Sequence, residues 1–184
     1  PGLRFTALAL LVASLVRLMN PLVLAYHERA ETPILNWYLY TYGITVVCFF
    51  AAARLMAPPR DRVFDLRVPP FLLTLGTILA FALVNLEIAD YFTPAGTSRL
   101  QFEFSGNFGR DMTYTIAWAL FALVLVVTGL VRRLSACRWA GMGLLLITLA
   151  KLFLHDLANL DALYRVGAFI TVAVIAFAAS FLYQ

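Results

Sequence analysis

Apolar residues run along this chain in six long stretches, and most charged residues fall into the short segments between them. The stretches extend from about Phe5 to Tyr26, Thr32 to Ala53, Pro70 to Ala89, Met112 to Val131, Trp139 to Ala158 and Leu163 to Tyr183. A bilayer core of roughly 30 Å is crossed by about 20 helical residues, so each stretch has the length of one span. None shows the period-two alternation of a membrane barrel strand, and a helix satisfies its backbone groups within the segment. The pattern predicts an all-α, polytopic integral membrane helix bundle of about six transmembrane helices, forming a single domain over residues 1–184. One segment does alternate, Leu100-Gln101-Phe102-Glu103-Phe104. It is expected to be an ordered surface loop; the alternative is a short extended element closed by the turn Ser105-Gly106-Asn107.

Proline and arginine set the ends and the direction of the spans. Pro58-Pro59 and Pro69-Pro70 bracket the loop between the second and third stretches. Proline cannot continue a helix interior and restrains the residue before it, so both pairs are expected to stop helices. With the N-terminus inside, the inner side receives Arg4, Arg54, Arg60, Arg62, Arg67, Arg132, Arg133 and Arg138, and the outer loops receive Arg29, Arg99 and Arg110. The positive-inside rule then places both chain ends in the cytoplasm. Trp37, Tyr38, Tyr40, Tyr42 and Tyr91 fall at the outer edge, where aromatic belts form.

Composition narrows the class further. Apolar residues make up 62% of the 184 and charged residues 13%, against about 25% charged in an ordinary soluble domain. That much apolar surface has no soluble core to hide in, so lipid is the expected solvent. The net charge of +4 rests on thirteen arginines and one lysine. Most of the arginines flank apolar stretches, and they form no basic face interleaved with aromatics, so nucleic acid is not an expected partner. Cys48 and Cys137 lack CxxC or Cys/His spacing and fall towards the cytoplasm, so no disulfide is expected. The chain opens on Pro1 and runs into an apolar stretch without a signal-peptide cleavage pattern. It is expected to be the C-terminal part of a longer multi-span protein.

Ionisable residues within the apolar stretches cost roughly 2.5–3.5 kcal/mol each at a helix centre, so each needs a partner, water or the interface. Lys151, His155 and Asn159 recur every four residues and share one helix stripe, with Asp156 turned roughly 100° away. The stripe suits a proton relay or an anion site; pairing of Lys151 with a carboxylate and interfacial hydrogen bonding by His155 is the preferred reading. Glu87 and Asp90, three apart, share a face near the outer surface, where two close carboxylates suit acid–base chemistry or a cation. Pairing with Lys151 and Arg165 is preferred. Arg17 and Asn20 stand beside Pro21, whose missing N–H leaves the Arg17 carbonyl free at a kink. Such breaks line transporter sites and also occur as plain kinks. Asp161 is expected to cap the sixth span, leaving Arg165 to meet a carboxylate or phosphate. His27, Glu28 and Glu31 lack metal-site spacing, and no nucleophile elbow, HExxH or glycine-rich phosphate loop occurs. No catalytic residue, metal or cofactor is therefore assigned.

The stretch Lys151-Leu-Phe-Leu-His-Asp156-Leu-Ala-Asn-Leu160-Asp-Ala-Leu-Tyr164-Arg165-Val-Gly-Ala-Phe169, with Leu182-Tyr183-Gln184, resembles the closing segment of a family of large bacterial multi-span proteins, the domain of unknown function numbered 2339. Arg17-Leu-Met-Asn20-Pro21 and Pro33-Ile-Leu-Asn36-Trp-Tyr-Leu-Tyr40 resemble repeating elements of that family. The resemblance covers most of the chain. It implies a multi-pass protein of the bacterial inner membrane with further spans upstream, and it brings no activity.

Arg17, Asn20, Glu87, Asp90, Lys151, His155, Asp156 and Arg165 all occupy the outer halves or ends of their spans in this topology. They are expected to form a paired, partly hydrated cluster opening outward. The preferred reading is a non-enzymatic module for transport or for handling lipid-linked or envelope substrates, in contact with membrane lipids and with the rest of its chain or a membrane complex. The alternative is a membrane-embedded enzyme acting on such a substrate, with Glu87 or Asp90 as base and Arg165 binding phosphate.

Overall fold

The computed structural model describes residues 2–20, 32, 34–56, 58, 62–63, 66–94, 97, 100, 102, 107–156, 170, 172–175, 177 and 180–181. Five helices account for most of them: α1 (Gly2–Leu18), α2 (Trp37–Leu55), α3 (Val68–Phe92), α4 (Phe108–Val131) and α5 (Ser135–Lys151), the last continuing as a π-helical turn over Leu152–Asp156. A two-residue antiparallel pairing, β1 (Arg62–Val63) with β2 (Leu66–Arg67), sits between α2 and α3. Among the described residues four helices are long and apolar enough to cross a membrane: Trp37–Leu55, Val68–Phe92, Phe108–Val131 and Ser135–His155. At most 28% of any of these windows is buried inside the molecule, so their apolar side chains face outward, as lipid-solvated helices do.

Four of the six expected spans are recovered among the described residues, with their ends moved for local reasons. The second begins at Trp37 instead of Thr32 because Asn36 caps it, its side chain accepting the Leu39 N–H at 2.8 Å. The fourth begins at Phe108 instead of Met112 because Asn107 caps it in the same way, through the Arg110 N–H at 3.2 Å. Asn107 therefore starts a helix instead of closing a turn, and Arg110, expected in an outer loop, lies buried in that helix. Pro69 and Pro70 fall in the first turn of α3, where a missing N–H is harmless, and so open this helix. α1 is described as a 17-residue helix with an apolar part from Phe5 to Leu18. Residues 21–30, most of residues 98–106 and most of the sixth stretch lie outside the described residues.

The chain divides into two compact units, Pro1–Glu103 and Phe104–Gln184. In the first, Leu72, Gly76, Leu79, Leu83 and Leu86 form a seam along α3 with the alternating four- and three-residue spacing of coiled coils. Tyr38, Tyr42, Phe49 and Ala53 of α2 pack with Leu72, Leu79 and Leu86 in the core. Gly76 permits the approach, since a Cβ there would stand 3.1 Å from that of Phe49. Leu8, Leu11, Leu15 and Leu18 bring α1 onto the same core, and the Tyr42 hydroxyl donates to the Leu18 carbonyl at 2.6 Å. That bond satisfies an acceptor that the end of α1 leaves open.

The second unit packs on small residues. Thr115, Ala122 and Gly129 of α4 recur every seven residues, as do Gly141, Thr148 and His155 along α5 and its π turn. A Cβ on Gly141 would lie 2.9 Å from the Ala122 carbonyl oxygen, so the two backbones touch. Close backbone approach gives van der Waals contact where lipid supplies no hydrophobic drive. The turn between these helices is a Schellman motif: Leu134 N–H to Gly129 O at 2.9 Å and Arg133 N–H to Leu130 O at 3.2 Å. Arg133 takes the left-handed position, φ 54°, that glycine usually fills. Cys48 and Cys137 are free thiols.

Candidate functional site

In the first unit the α3 seam runs on past Leu86 to a charged residue, Asp90, only 3% exposed. Its partner comes from the residue that starts α2. Asn36 donates through Nδ2 to Asp90 Oδ2 at 3.1 Å and to Glu87 Oε2 at 3.0 Å. Its Oδ1 meanwhile caps the helix at Leu39. One buried amide therefore uses both donors and its acceptor, and it holds two carboxylates within about 6 Å of each other. No donor among the described residues reaches Oε1 of Glu87, which is also buried. Leading into the cap, Ile34 has φ 73°, an outlier for a β-branched residue.

In the second unit polar groups collect where the small-residue seam ends. Lys151 Nζ donates to the main-chain carbonyl of Asp111 at 3.1 Å and to Thr115 Oγ1 at 2.8 Å. The Thr115 hydroxyl donates to that same carbonyl at 3.0 Å. Four residues beyond Lys151, His155 Nε2 stands 3.9 Å from Asp111 Oδ2. The Asp111 side chain is 10% exposed and that of His155 38%, so the carboxylate is interior and the imidazole reaches outward. Oδ1 of Asp111 is buried with no donor among the described residues. The π turn carrying His155 is an irregularity often found at functional sites.

Of the expected site residues, Glu87 and Asp90 are thus brought together in the first unit, and Lys151 and His155 meet a common residue in the second. Glu87 accepts a hydrogen bond from the Asn36 amide, and Lys151 donates to a carbonyl and a hydroxyl; the expected pairing with Arg165 falls on a residue outside the described ones. Arg17 is exposed at the end of α1, with no ion pair to a carboxylate among the described residues. Asn20 is exposed beside it, its N–H bonded to the Arg17 carbonyl at 3.2 Å. The Pro21 kink, His27, Glu28, Glu31, Asn159, Asp161, Arg165 and the side chain of Asp156 lie outside the described residues. Among the described residues no group of three His, Cys, Asp or Glu side chains is placed to hold a metal ion.

Sequence reasoning missed Asn36, Asp111 and Thr115. Asn36 had a signal, since asparagine before an aromatic apolar run is a helix start. Asp111 and Thr115 are the first members of the α4 seam, at 111, 115, 122 and 129, and extending that period upstream would have found them.

The family model for the predicted membrane protein DUF2339 matches residues 2–184, and the chain belongs to that family. Neither the curated proteins nor the solved structures contain a match to it.

Proposed function

Starting from that membership, we propose that the chain is a non-enzymatic module of the bacterial inner membrane that handles a polar lipid-linked or envelope substrate, by transport or by presentation to a partner. The reading is supported by one observation above the others. Within apolar helices a single amide, Asn36, carries two carboxylates and leaves a buried oxygen of Glu87 without a donor among the described residues. An intramembrane acid that its neighbours satisfy only in part is better explained by a ligand than by the fold, because burial without a full set of bonds destabilises the fold. With both chain ends cytoplasmic, as the arginine distribution implies, Asn36, Glu87 and Asp90 stand at the non-cytoplasmic end of their helices. There they face the compartment that holds envelope substrates.

The alternative, a membrane-embedded enzyme with Glu87 or Asp90 as base, needs a second reacting group opposite Glu87 Oε1. Complementation of a deletion strain tests whether the acid pair serves a function. Glu87→Gln and Asp90→Asn are expected to yield folded, membrane-inserted protein that fails to restore envelope integrity. Full complementation by both variants sinks the reading.

A further inference from the structure

The turn between α4 and α5 carries three arginines, and the hairpin holds nothing near them to neutralise their charge. Arg132 and Arg133 are exposed, and Arg138 is half-buried in the first turns of α5. From Met112 to His155 the chain has no Asp or Glu. The acids that bound this stretch, Asp111 and Asp156, belong to the first turn of α4 and the end of the π turn, about 25–30 Å away along the helices. Among the described residues none of the three arginines has an ion pair. The basic loop before α3 differs, since its arginines are interleaved with Asp61 and Asp65. Two further features gather the charge at the turn. Arg133 keeps an arginine at φ 54°, where glycine is less strained, and strain of this kind clusters at functional positions. The stem of Arg138 lies across Gly129, where an added Cβ would meet its Cγ at 2.6 Å, so the missing side chain lets the arginine reach over the end of α4.

Both flanking helices are apolar enough to span, and both end at this turn, which therefore lies at the bilayer surface. Trp139, next to Arg138, is 73% exposed, and an indole settles among lipid headgroups. Guanidiniums at that depth meet lipid phosphates, which their planar fork of N–H donors binds in pairs. We propose that Arg132, Arg133 and Arg138 form a binding surface for the headgroups of anionic phospholipid, with Trp139 seated beside them. Charge complementarity selects the occupant. Phosphatidylcholine and phosphatidylethanolamine carry their own cation, whereas phosphatidylglycerol brings the net negative charge that this hairpin lacks. Orientation of the spans needs positive charge alone; the surface adds a need for the guanidinium fork, which lysine does not have. It belongs to the second unit and uses none of Asn36, Glu87 and Asp90, so it stands apart from the substrate-handling reading.

Trp139 supplies the probe. The full-length protein is reconstituted in phosphatidylcholine vesicles that contain a minor share of brominated phosphatidylglycerol or, in the matched arm, of brominated phosphatidylcholine. Bromine quenches indole emission on contact, and the Trp139 signal is the difference between the parent and Trp139→Phe. The anionic lipid is expected to associate at least about fivefold more strongly than the neutral one, the worth of a single arginine at an anionic surface. Arg132→Gln/Arg133→Gln/Arg138→Gln should remove that preference, and the corresponding triple lysine variant should fall between. Arg133→Gly, which relieves the backbone, should fold and weaken the preference by about fivefold. Arg62→Gln/Arg67→Gln in the first unit should leave it intact, as should added inorganic phosphate. The proposal is overturned if the parent shows no preference, if the glutamine variant keeps it, if the lysine variant equals the parent, or if Arg62→Gln/Arg67→Gln removes it. Displacement by inorganic phosphate also overturns it, by making this a site for a soluble anion. Should the glutamine variant fail to insert, Arg133→Gly decides, and an unchanged preference there sinks the assignment.

Discussion

Lys151 reaches from α5 to the main-chain carbonyl of Asp111 at 3.1 Å and leaves the carboxylate of that residue to face His155. The single lysine of the chain thus acts on a backbone dipole, and it fastens two helices by the end of one and the first turn of the other.

Removing that clamp should loosen the second unit. Lys151→Met loses two hydrogen bonds from a charged donor and is expected to cost about 2–3 kcal/mol, read as a shift in the detergent-unfolding midpoint. Thr115→Val should cost about 1 kcal/mol. The double variant should fall short of the sum, because the two residues share one carbonyl. Strict additivity would show that the Lys151–Thr115 contact is not coupled.

Asn36 combines a helix cap with a bridge between carboxylates. Asn36→Ala is expected to destabilise the first unit by about 2–4 kcal/mol, from the lost cap and the lost charged hydrogen bonds together. Asn36→Ser keeps a capping oxygen and should lie between. Stability of Asn36→Ser equal to that of the parent would show that the bridge contributes nothing.

The contact between α4 and α5 leaves no room for a side chain at Gly141. A Cβ would meet Val126 Cγ2 at 2.7 Å and the Ala122 carbonyl at 2.9 Å. Gly141→Ala should therefore destabilise by about 1–3 kcal/mol. Gly143→Ala, with open space around it, should stay within about 0.5 kcal/mol of the parent. The same unfolding assay compares the two, and matched midpoints would contradict the close approach.

Arg133 occupies a left-handed position that favours glycine. Arg133→Gly should raise stability by about 1 kcal/mol, as the relief of Cβ crowding outweighs the added freedom of the unfolded chain. A fall in stability would mean that the arginine side chain contributes more than its backbone costs.

Much of this architecture was legible in the sequence because membrane helices announce themselves by length. The four spans and the Lys151–His155 stripe follow from apolar runs and i, i+4 spacing. Helix starts were legible in principle too: Asn36 and Asn107 are both capping residues, and overlooking them misplaced Arg110 in a loop. Asp90 and Asp111 sit on the heptad seams of α3 and α4, so periodicity could have flagged them as core acids. The choice of partner was not legible. Lys151 bonds a main-chain carbonyl, a group that every residue carries, and only the packing of α5 on α4 selects it. Asn36 finds Glu87 and Asp90 across 51 and 54 residues of chain, a distance that helix spacing cannot bridge.

The unequal lengths of α2 and α3 carry a consequence for the acid pair. At 19 residues α2 rises about 28 Å, whereas the 25 residues of α3 rise about 37 Å. Asn36 marks the end of the shorter helix, so Glu87 and Asp90 lie level with the limit of what that helix can span. Hydrophobic mismatch then becomes a setting for their chemistry. Short acyl chains lift the pair into the headgroups, and long or sterol-stiffened ones submerge it, at a fraction of a kcal/mol per ångström. The lipid surrounding this protein thereby sets how wet its carboxylates are.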